Sequence, residues 1–325
     1  MKRDKVALLV VLARVAATVR RVARTRSAIM KNNIALCIAA STLIALTAWL
    51  LRSEATTQGP QPQMHDVPAK YRATVTRGLE FLVKHQHADG HWEGDDGKHP
   101  VAVTALAGMA LLMEGSTLEK GKYASHLRKA VDWLMSKSDA RREGLIFSGH
   151  ASETDRYMQG HGLATQFLAW SLQAEPDKDR REKMIDVLRK AARYIASAQS
   201  TQGGWYHTSK VEGHDFTDVP ATAYQIQALY MLGSLDLSVR SEMVTSAGQD
   251  FLKNAIAQYD DRDKPGPNRS RPAETAAALA CRCSPVAFLD QDNLSNAWFK
   301  FCKTAIPMDA DLELGRDEMT HYHYA

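Results

Sequence analysis

Apolar residues recur at helical spacing through the body of the chain. Between Met184 and Ala198 they follow one another in steps of three and four, and the run from Val75 to Val83 does the same. Such spacing places one apolar stripe on one face of a helix and leaves the other face for water. No stretch of six residues alternates apolar and polar positions as a half-buried strand would. The pattern therefore predicts an all-α body.

Other stretches have a different character, because they are apolar, or nearly so, on every side. They comprise residues 101–113, 163–172, 222–232 and 275–281. A helix that is apolar all round must be buried all round. The alternation of amphipathic and fully apolar helices predicts a double ring, in which outer helices shield an inner set.

An internal repeat marks the ends of two of the amphipathic helices. The pattern RGxxFxxxxQxxxGxW at 77–92 returns as KAxxYxxxxQxxxGxW at 190–205. A degenerate unit opens at Trp133 and a fourth at Phe251, which gives aromatic-to-aromatic steps of 52, 61 and 57 residues. That period fits a pair of helices with two loops. The repeat residues that we expect to be structural are Gln86, Gly90, Trp92, Gln199, Gly203 and Trp205.

This pattern resembles the QW motif of squalene–hopene cyclases, within the terpenoid cyclase and protein prenyltransferase superfamily of α/α toroids. The resemblance covers about residues 70–325 and is sharpest in the first and third units. It implies that Gln and Trp tie consecutive helix hairpins into a ring. The segments YMQGHG at 157–162 and HYHY at 321–324 are similar to those of exported bacterial repeat proteins of unassigned function, which the chain resembles more closely than any enzyme of the superfamily.

The resemblance also provides a residue-by-residue test of catalysis. Class II cyclases protonate an alkene with a DxDDTA run, which needs a carboxylic acid beside neighbouring carboxylates. The matching run here is DVPATA at 218–223, so Asp218 is kept while Pro220 and Ala221 replace the acid and its neighbour. The zinc ligands of prenyltransferases are missing too, because the Asp218 frame has no Cys and residues 272–274 contain no His. We therefore expect neither reaction, no cofactor and no metal.

The loops that enter the inner helices of a toroid gather at one mouth of the ring, which is the default place for a binding site. The catalytic candidates there are His161, Asp218 and His214. The ligand-binding candidates are Asp155, Tyr157, His161, His207, His214, Asp215, Asp218 and Tyr224, and the same mouth should hold Asp95, Asp96, His99 and 321–324. His161 opens an apolar helix between two glycines, so it either caps its own helix or bonds to a loop carbonyl, or it has a ligand-binding or catalytic role. An apolar or isoprenoid-like small molecule, or a protein partner, is the expected occupant.

Two histidine groups leave a choice between a metal and ordinary surface chemistry. His85, His87 and His91 flank Asp89 in the first repeat loop, where a solvated turn is the favoured interpretation over a metal site. The group formed by His207, His214 and Asp215 allows either a metal or an acid–base role.

The charge is unevenly spread along the chain. Of 41 Lys and Arg and 37 Asp and Glu, ten basic and one acidic residue lie in 1–52, so the remainder carries 31 basic and 36 acidic residues, a net charge of −5. Such a body gives no reason to expect nucleic acid. Residues 34–51 are uncharged for 18 positions and follow nine basic residues. They predict a membrane anchor or a cleaved signal, with the body outside the cytoplasm.

These observations divide the chain into four parts. Residues 1–33 form a basic cytoplasmic segment, although translation could also begin at Met30; 34–51 form the anchor or signal; 52–69 form a polar linker; and 70–325 form the toroid domain, expected to be incomplete at its C-terminus. The sequence thus predicts a toroid repeat protein, exported or membrane-anchored, that binds a ligand or partner at the ring mouth. The alternative is an enzyme of the same scaffold that acts on an isoprenoid or a polysaccharide.

Overall fold

The computed structural model describes residues 69–139, 142, 144–237, 241–259, 277–278 and 280–281. The predicted anchor or signal, residues 52–68 of the predicted linker and the 321–324 segment lie outside these residues, while Ala69 already begins the first helix. The described part contains seven α-helices. They are α1 Ala69–Lys84, α2 Pro100–Met113, α3 Ala124–Ser136, α4 Tyr157–Leu172, α5 Lys178–Ala198, α6 Val219–Ser234 and α7 Ser241–Tyr259. Three 3-10 turns, Asp95–Gly97, Ala151–Glu153 and Lys210–Glu212, lie in the connecting loops.

Helices α2, α4 and α6 form an inner layer and pack against one another in chain order. In α4, 14 of 16 residues are buried, as the all-round apolar pattern predicted. Glycines allow the close approach: a Cβ at Gly108 would lie 2.5 Å from the Phe167 ring, and one at Gly162 would lie 2.7 Å from the Gln225 amide. The predicted inner helix at 222–232 lies within buried α6. Of the one predicted at 275–281, four of the seven residues are described, and Ala277, Ala278 and Cys281 are buried.

Helices α1, α3, α5 and α7 form the outer layer. The buried face of α5 includes Met184, Leu188, Ala191, Ile195 and Ala198, which belong to the predicted apolar stripe, while most of its charged residues remain exposed. The amphipathic pattern was therefore interpreted correctly. Outer helices that cover an inner layer of buried helices have the architecture of an all-α toroid.

A short β-ladder is a regular element that the sequence pattern did not predict. Strands β1 (Ser138–Asp139) and β2 (Leu145–Ile146) pair antiparallel in the loop between α3 and α4. Two residues per strand are too few to give an alternating pattern, so nothing in the sequence announces the ladder. Among the described residues, no helix combines the length and the apolar character needed to cross a membrane.

Candidate functional site

The two repeat glutamines make the same pair of hydrogen bonds. Gln86 donates from Nε2 to the carbonyl of Gly90 at 2.8 Å and to that of His126, at the start of α3, at 3.0 Å. Gln199 donates to the carbonyl of Gly203 at 2.7 Å and to a carbonyl near the start of α7 at 2.8 Å. Each glutamine therefore ties the end of one outer helix to the start of the next.

The repeat tryptophans anchor the same loops to the inner layer. Trp92 Nε1 donates to a carbonyl in the last turn of α1 at 2.7 Å, and its backbone N–H donates to Thr104 Oγ1 at 2.9 Å. Trp205 repeats both contacts, with the last turn of α5 at 2.8 Å and with Thr222 Oγ1 at 2.8 Å. In the first and third units, a threonine of the inner helix therefore accepts a hydrogen bond from the loop that precedes that helix.

His161 occupies the corresponding place in the degenerate second unit. Gly144 takes the part of the repeat glycine, since a Cβ there would lie 2.4 Å from Lys190 on α5. Ile146 then stands where the tryptophan should be, and its N–H donates to His161 Nδ1 at 3.0 Å. Burial lowers the pKa of His161 to about 4, partly offset by the nearby Ala191 backbone, so the ring is neutral at physiological pH. Its Nε2 is buried and has no hydrogen-bond partner among the described residues.

Asp218 caps the N-terminus of α6. Its Oδ2 accepts from the N–H of Ala221 at 2.8 Å, and its own N–H donates to the Trp205 carbonyl at 2.7 Å. His207 Nδ1 lies 4.0 Å from the same Oδ2 atom. Ala221, at one of the two replaced positions of the cyclase acid run, is fully buried. The structure thus brings Asp218 and His207 together at the start of α6.

Tyr157 begins α4 and uses both hydrogen-bonding capacities of its hydroxyl. It donates to Glu212 Oε2 at 2.7 Å and accepts from the Ser209 N–H at 2.8 Å. Burial and the Glu212 hydrogen bond raise the pKa of the phenol. The Met158 N–H, one residue later, donates to the His207 carbonyl at 3.0 Å. These hydrogen bonds join the start of α4 to the loop that contains the 3-10 turn Lys210–Glu212.

Asp215 and His214 are directed toward loop residues of their own. Asp215 accepts from Ser200 Oγ at 2.7 Å and from the Thr201 N–H at 2.8 Å. Hydrogen bonds from Thr201 and Ser200 lower the pKa of Asp215 to about 2. His214 Nδ1 lies 2.7 Å from Thr208 Oγ1. Their carboxylate and imidazole therefore support the third repeat loop, and neither residue lies against Asp218 in a shared hydrogen bond.

The remaining candidates are dispersed. Asp155 is exposed and pairs with its neighbour Arg156 at 3.5 Å. Asp95 and Asp96 lie exposed in the first 3-10 turn, and His99 adopts a left-handed conformation with φ of 53°. Tyr224 is buried within α6, where its carbonyl accepts from Gln166 Nε2 at 3.1 Å.

Sequence reasoning missed Glu153, a carboxylate buried at the mouth. Its Oε1 accepts from the N–H of Val101 at 2.8 Å, and its Oε2 accepts from Ser148 Oγ at 2.6 Å. Glu153 therefore supplies the cap that α2 lacks locally, because the preceding His99 makes no side-chain cap. No local sequence signal could have identified it, since a loop glutamate ordinarily remains in water.

A pocket of about 650 Å³ lies at this end of the inner helices, between the third repeat loop and α7. Its lining includes Gln202, Thr217, Asp218, Asp250, Phe251 and Asn254. A smaller pocket of about 80 Å³ lies beside His99, Arg156, Tyr157 and Gln159. Of the sequence-based candidates, Asp218 contributes to the larger pocket, and Tyr157 with His99 to the smaller one.

Within the described ranges, one set of metal-capable side chains converges. His87, His91 and Glu93, from the first repeat loop, each offer a ligand atom within 4.8 Å of the others. The ligand atoms of His207, His214 and Asp215 do not converge in this way.

The two-layered helical arc and its paired Gln–Trp cassettes define a terpenoid cyclase-like toroid. Residues 63–228, just over half of the chain, match the squalene-hopene cyclase C-terminal domain, and the chain belongs to this family. It is similar to human lanosterol synthase, with 28% identity over 142 residues that cover 42% of this chain and 18% of that protein. It is also similar to a probable squalene–hopene cyclase of Sinorhizobium fredii, with 22% identity over 200 residues, 59% of this chain and 31% of that protein. The matched regions span under a third of the length of these curated relatives.

Proposed function

We propose that this protein is a family member that does not cyclise isoprenoids and that binds a ligand in the pocket beside Asp218, at the N-terminal end of α6. The proposal also retains a position outside the cytoplasm, through residues 34–51. The observation that supports it is that the polar side chains around the ends of the inner helices are hydrogen-bonded within the protein. Asp218, Glu153 and Tyr157 are each engaged with backbone N–H groups of the protein itself.

Cyclisation by the family reaction would need a carboxylic acid aimed into a dry cavity. The only acidic residue of the 218–223 run is Asp218, and its Oδ2 is bonded to the first turn of α6 at 2.8 Å. Pro220 and Ala221 cannot donate a side-chain proton. Lanosterol synthase and squalene–hopene cyclase are therefore relatives whose named activities we do not extend to this chain.

The pocket itself suits a ligand with both polar and apolar parts. Asp218, Asp250 and Asn254 offer acceptors and an amide, and Phe251 offers an aromatic face. Its volume of about 650 Å³ lies within the usual range for small-molecule sites, roughly 300–1,000 Å³.

The test combines turnover with binding on the full-length chain. Incubation with squalene or prenyl diphosphates should give no cyclised or transferred product by mass spectrometry. A thermal-shift screen against isoprenoids and oligosaccharides should find a stabilising ligand whose effect is lost in Asn254→Ala but kept in Asp155→Asn, an exposed control outside the pocket. A cyclised product, or a ligand that stabilises both variants equally, would contradict the proposal.

A second candidate is an enzyme of the same scaffold, and one contact favours it. His207 Nδ1 is a buried atom without a hydrogen-bond partner in the described part of the chain, and it faces Asp218 Oδ2 at 4.0 Å. A histidine beside a carboxylate can act as a general base. Turnover of an isoprenoid or an oligosaccharide that His207→Gln abolishes, with folding unchanged, would favour this candidate over the first.

A further inference from the structure

The first repeat loop carries a cluster that the fold does not require. His87, His91 and Glu93 follow the end of α1, and their side chains are 45%, 17% and 35% exposed. His87 Nε2 lies 3.4 Å from Glu93 Oε1, and His91 Nε2 lies 3.5 Å from Glu93 Oε2. Two imidazole nitrogens therefore face the two oxygens of one carboxylate.

The backbone turn explains why these side chains meet. The His87 N–H donates to the His91 carbonyl at 2.9 Å, and the Gly90 N–H donates to the His87 carbonyl at 2.9 Å. Gly90 has a φ of 104°, which reverses the chain between the two histidines. Their rings stack at 4.3 Å as a result, and the His91 ring also stacks on Trp133 at 4.9 Å.

The hydrogen bond on the far side of His91 fixes which nitrogen is free. Asp89 Oδ1 lies 2.6 Å from His91 Nδ1, and a carboxylate there accepts, so Nδ1 carries the hydrogen. Trp133 Nε1 holds the same carboxylate through Oδ2 at 3.1 Å. The Nε2 of a neutral His91 then presents a lone pair to the Glu93 carboxylate. A cation between them removes that repulsion, and a carboxylate behind a ligating histidine is the usual support of a metal site.

The two histidines differ in what they can offer Glu93. A neutral His87 can donate from Nε2 to Glu93 Oε1, whereas His91, whose Nδ1 hydrogen is directed to Asp89, offers a lone pair at Nε2. A single cation can accept both imidazole nitrogens and the carboxylate at one centre.

The third repeat loop provides an internal comparison. Aligning Gln86 with Gln199 sets Ser200 against His87, Gly204 against His91 and Tyr206 against Glu93. Both loops nonetheless make the same glutamine and tryptophan hydrogen bonds. The repeat scaffold thus forms without the two histidines and the glutamate, and these residues are free to serve another purpose in the first loop.

We propose that His87 Nε2, His91 Nε2 and Glu93 bind one divalent transition-metal ion of the Zn²⁺ class, with its fourth position open to solvent. Two nitrogens and a carboxylate are a ligand set typical of zinc. Ligand atoms about 2.1 Å from a tetrahedral ion lie about 3.4 Å apart, close to the two nitrogen–oxygen separations here. Because a metal lies in the plane of its imidazole, binding turns the exposed His87 ring out of its stack on His91.

The test is zinc binding by the full-length, tag-free chain after removal of metals with a chelator. Equilibrium dialysis with ZnCl₂ followed by elemental analysis should find one ion per chain, and Co²⁺ should give the visible absorption of a four-coordinate site. His87→Ala and Glu93→Gln should lose the ion, and Asp89→Asn should weaken it by roughly tenfold or more. His85→Ala is the matched control, because His85 is an exposed histidine of the same loop whose Nδ1 bonds to the Phe81 carbonyl at 2.7 Å.

The outcomes separate the alternatives. Zinc held by wild type and His85→Ala but not by His87→Ala or Glu93→Gln supports the site, provided that circular dichroism shows all four to be folded. Binding of no zinc by the wild type overturns it. Zinc that all variants retain equally overturns it as well, because the ion then lies elsewhere in the chain.

Discussion

The imidazole of His161 accepts a hydrogen bond from the backbone N–H of Ile146 at 3.0 Å. At the equivalent places, Thr104 and Thr222 accept hydrogen bonds from the backbone N–H groups of the two repeat tryptophans. The second unit has thus exchanged both partners of the contact and kept the hydrogen bond. The reason is geometric, since each loop needs an acceptor on the inner helix to hold its buried N–H. His161 is therefore a positioning residue of the fold in this structure, although its assignment as a catalytic candidate stays a prediction.

The burial of His161 predicts a specific pH dependence of stability. The pKa is about 4 in the folded chain against 6.5 for an ordinary histidine, so between these values the unfolded chain binds a proton that the folded chain does not. The contribution of His161 is complete above pH 6.5 and is lost as the pH falls toward 4. Its size is about 3 kcal/mol in the free energy of unfolding.

Urea unfolding of wild type and His161→Gln at several pH values measures this contribution. The glutamine oxygen can still accept from Ile146 but does not titrate, so the difference between the two proteins should change between pH 7 and 4. A difference that stays constant over this interval would show that His161 is not buried in its neutral form.

The glutamine contacts predict a different loss. Gln199→Ala removes two hydrogen bonds that join the loop after α5 to the start of α7. We expect a loss of about 1–2 kcal/mol in the free energy of unfolding. Gln202→Ala, an exposed glutamine in the same loop, is the control and should change stability little. Equal losses of unfolding free energy in the two variants would show that Gln199 does not join the loop to the start of α7.

Two glycines with the same backbone conformation test the close approach of the loop to α7. Gly203 and Gly213 have φ of 91° and 92°, but a Cβ at Gly203 would lie 2.6 Å from the Ala247 carbonyl oxygen, whereas one at Gly213 would meet nothing within 4 Å. Gly213→Ala should lose about 1–2 kcal/mol from backbone strain alone. Gly203→Ala adds a steric clash worth about 1–3 kcal/mol, so its melting temperature should fall further.

Differential scanning calorimetry of the two alanine variants gives this comparison directly. Because the backbone strain is matched, the difference between them isolates the contact with α7. Similar melting temperatures would mean that the loop does not press against α7 as described.

The architecture could be predicted because the repeated features are local and periodic. The spacing of apolar residues determines which helices are buried, and in the two cassettes the step from the aromatic to the glycine is nine residues, Phe81 to Gly90 and Tyr194 to Gly203. In the second unit the corresponding interval, from Trp133 to Gly144, is eleven residues. The insertion hides Gly144 from a motif search, although its contact with α5 matches that of the other repeat glycines.

The site could not be predicted to the same extent, because it depends on which partners the loops bring to each side chain. Asp215 and Tyr157 have the composition of ligand-binding residues, yet the hydrogen bonds they make are with Ser200, Thr201, Ser209 and Glu212. Similarly, the sequence favoured a solvated turn at His87 and His91, because it does not show that the turn at Gly90 brings both rings to Glu93. Side-chain direction in a loop is a property of the folded chain.

Glu153 is the carboxylate for which a substitution should separate structure from surface charge. Glu153→Gln keeps the shape but replaces one acceptor oxygen with a donor, which opposes either the Val101 N–H or the Ser148 hydroxyl and N–H. Because the group is buried, we expect a loss of about 1–3 kcal/mol in the free energy of unfolding by urea denaturation. Glu119 forms an exposed ion pair with Lys120 at 3.6 Å, so Glu119→Gln should change stability far less. If both variants unfold at the same urea concentration, Glu153 does not cap α2, and its carboxylate would become a candidate for chemistry at the ring mouth.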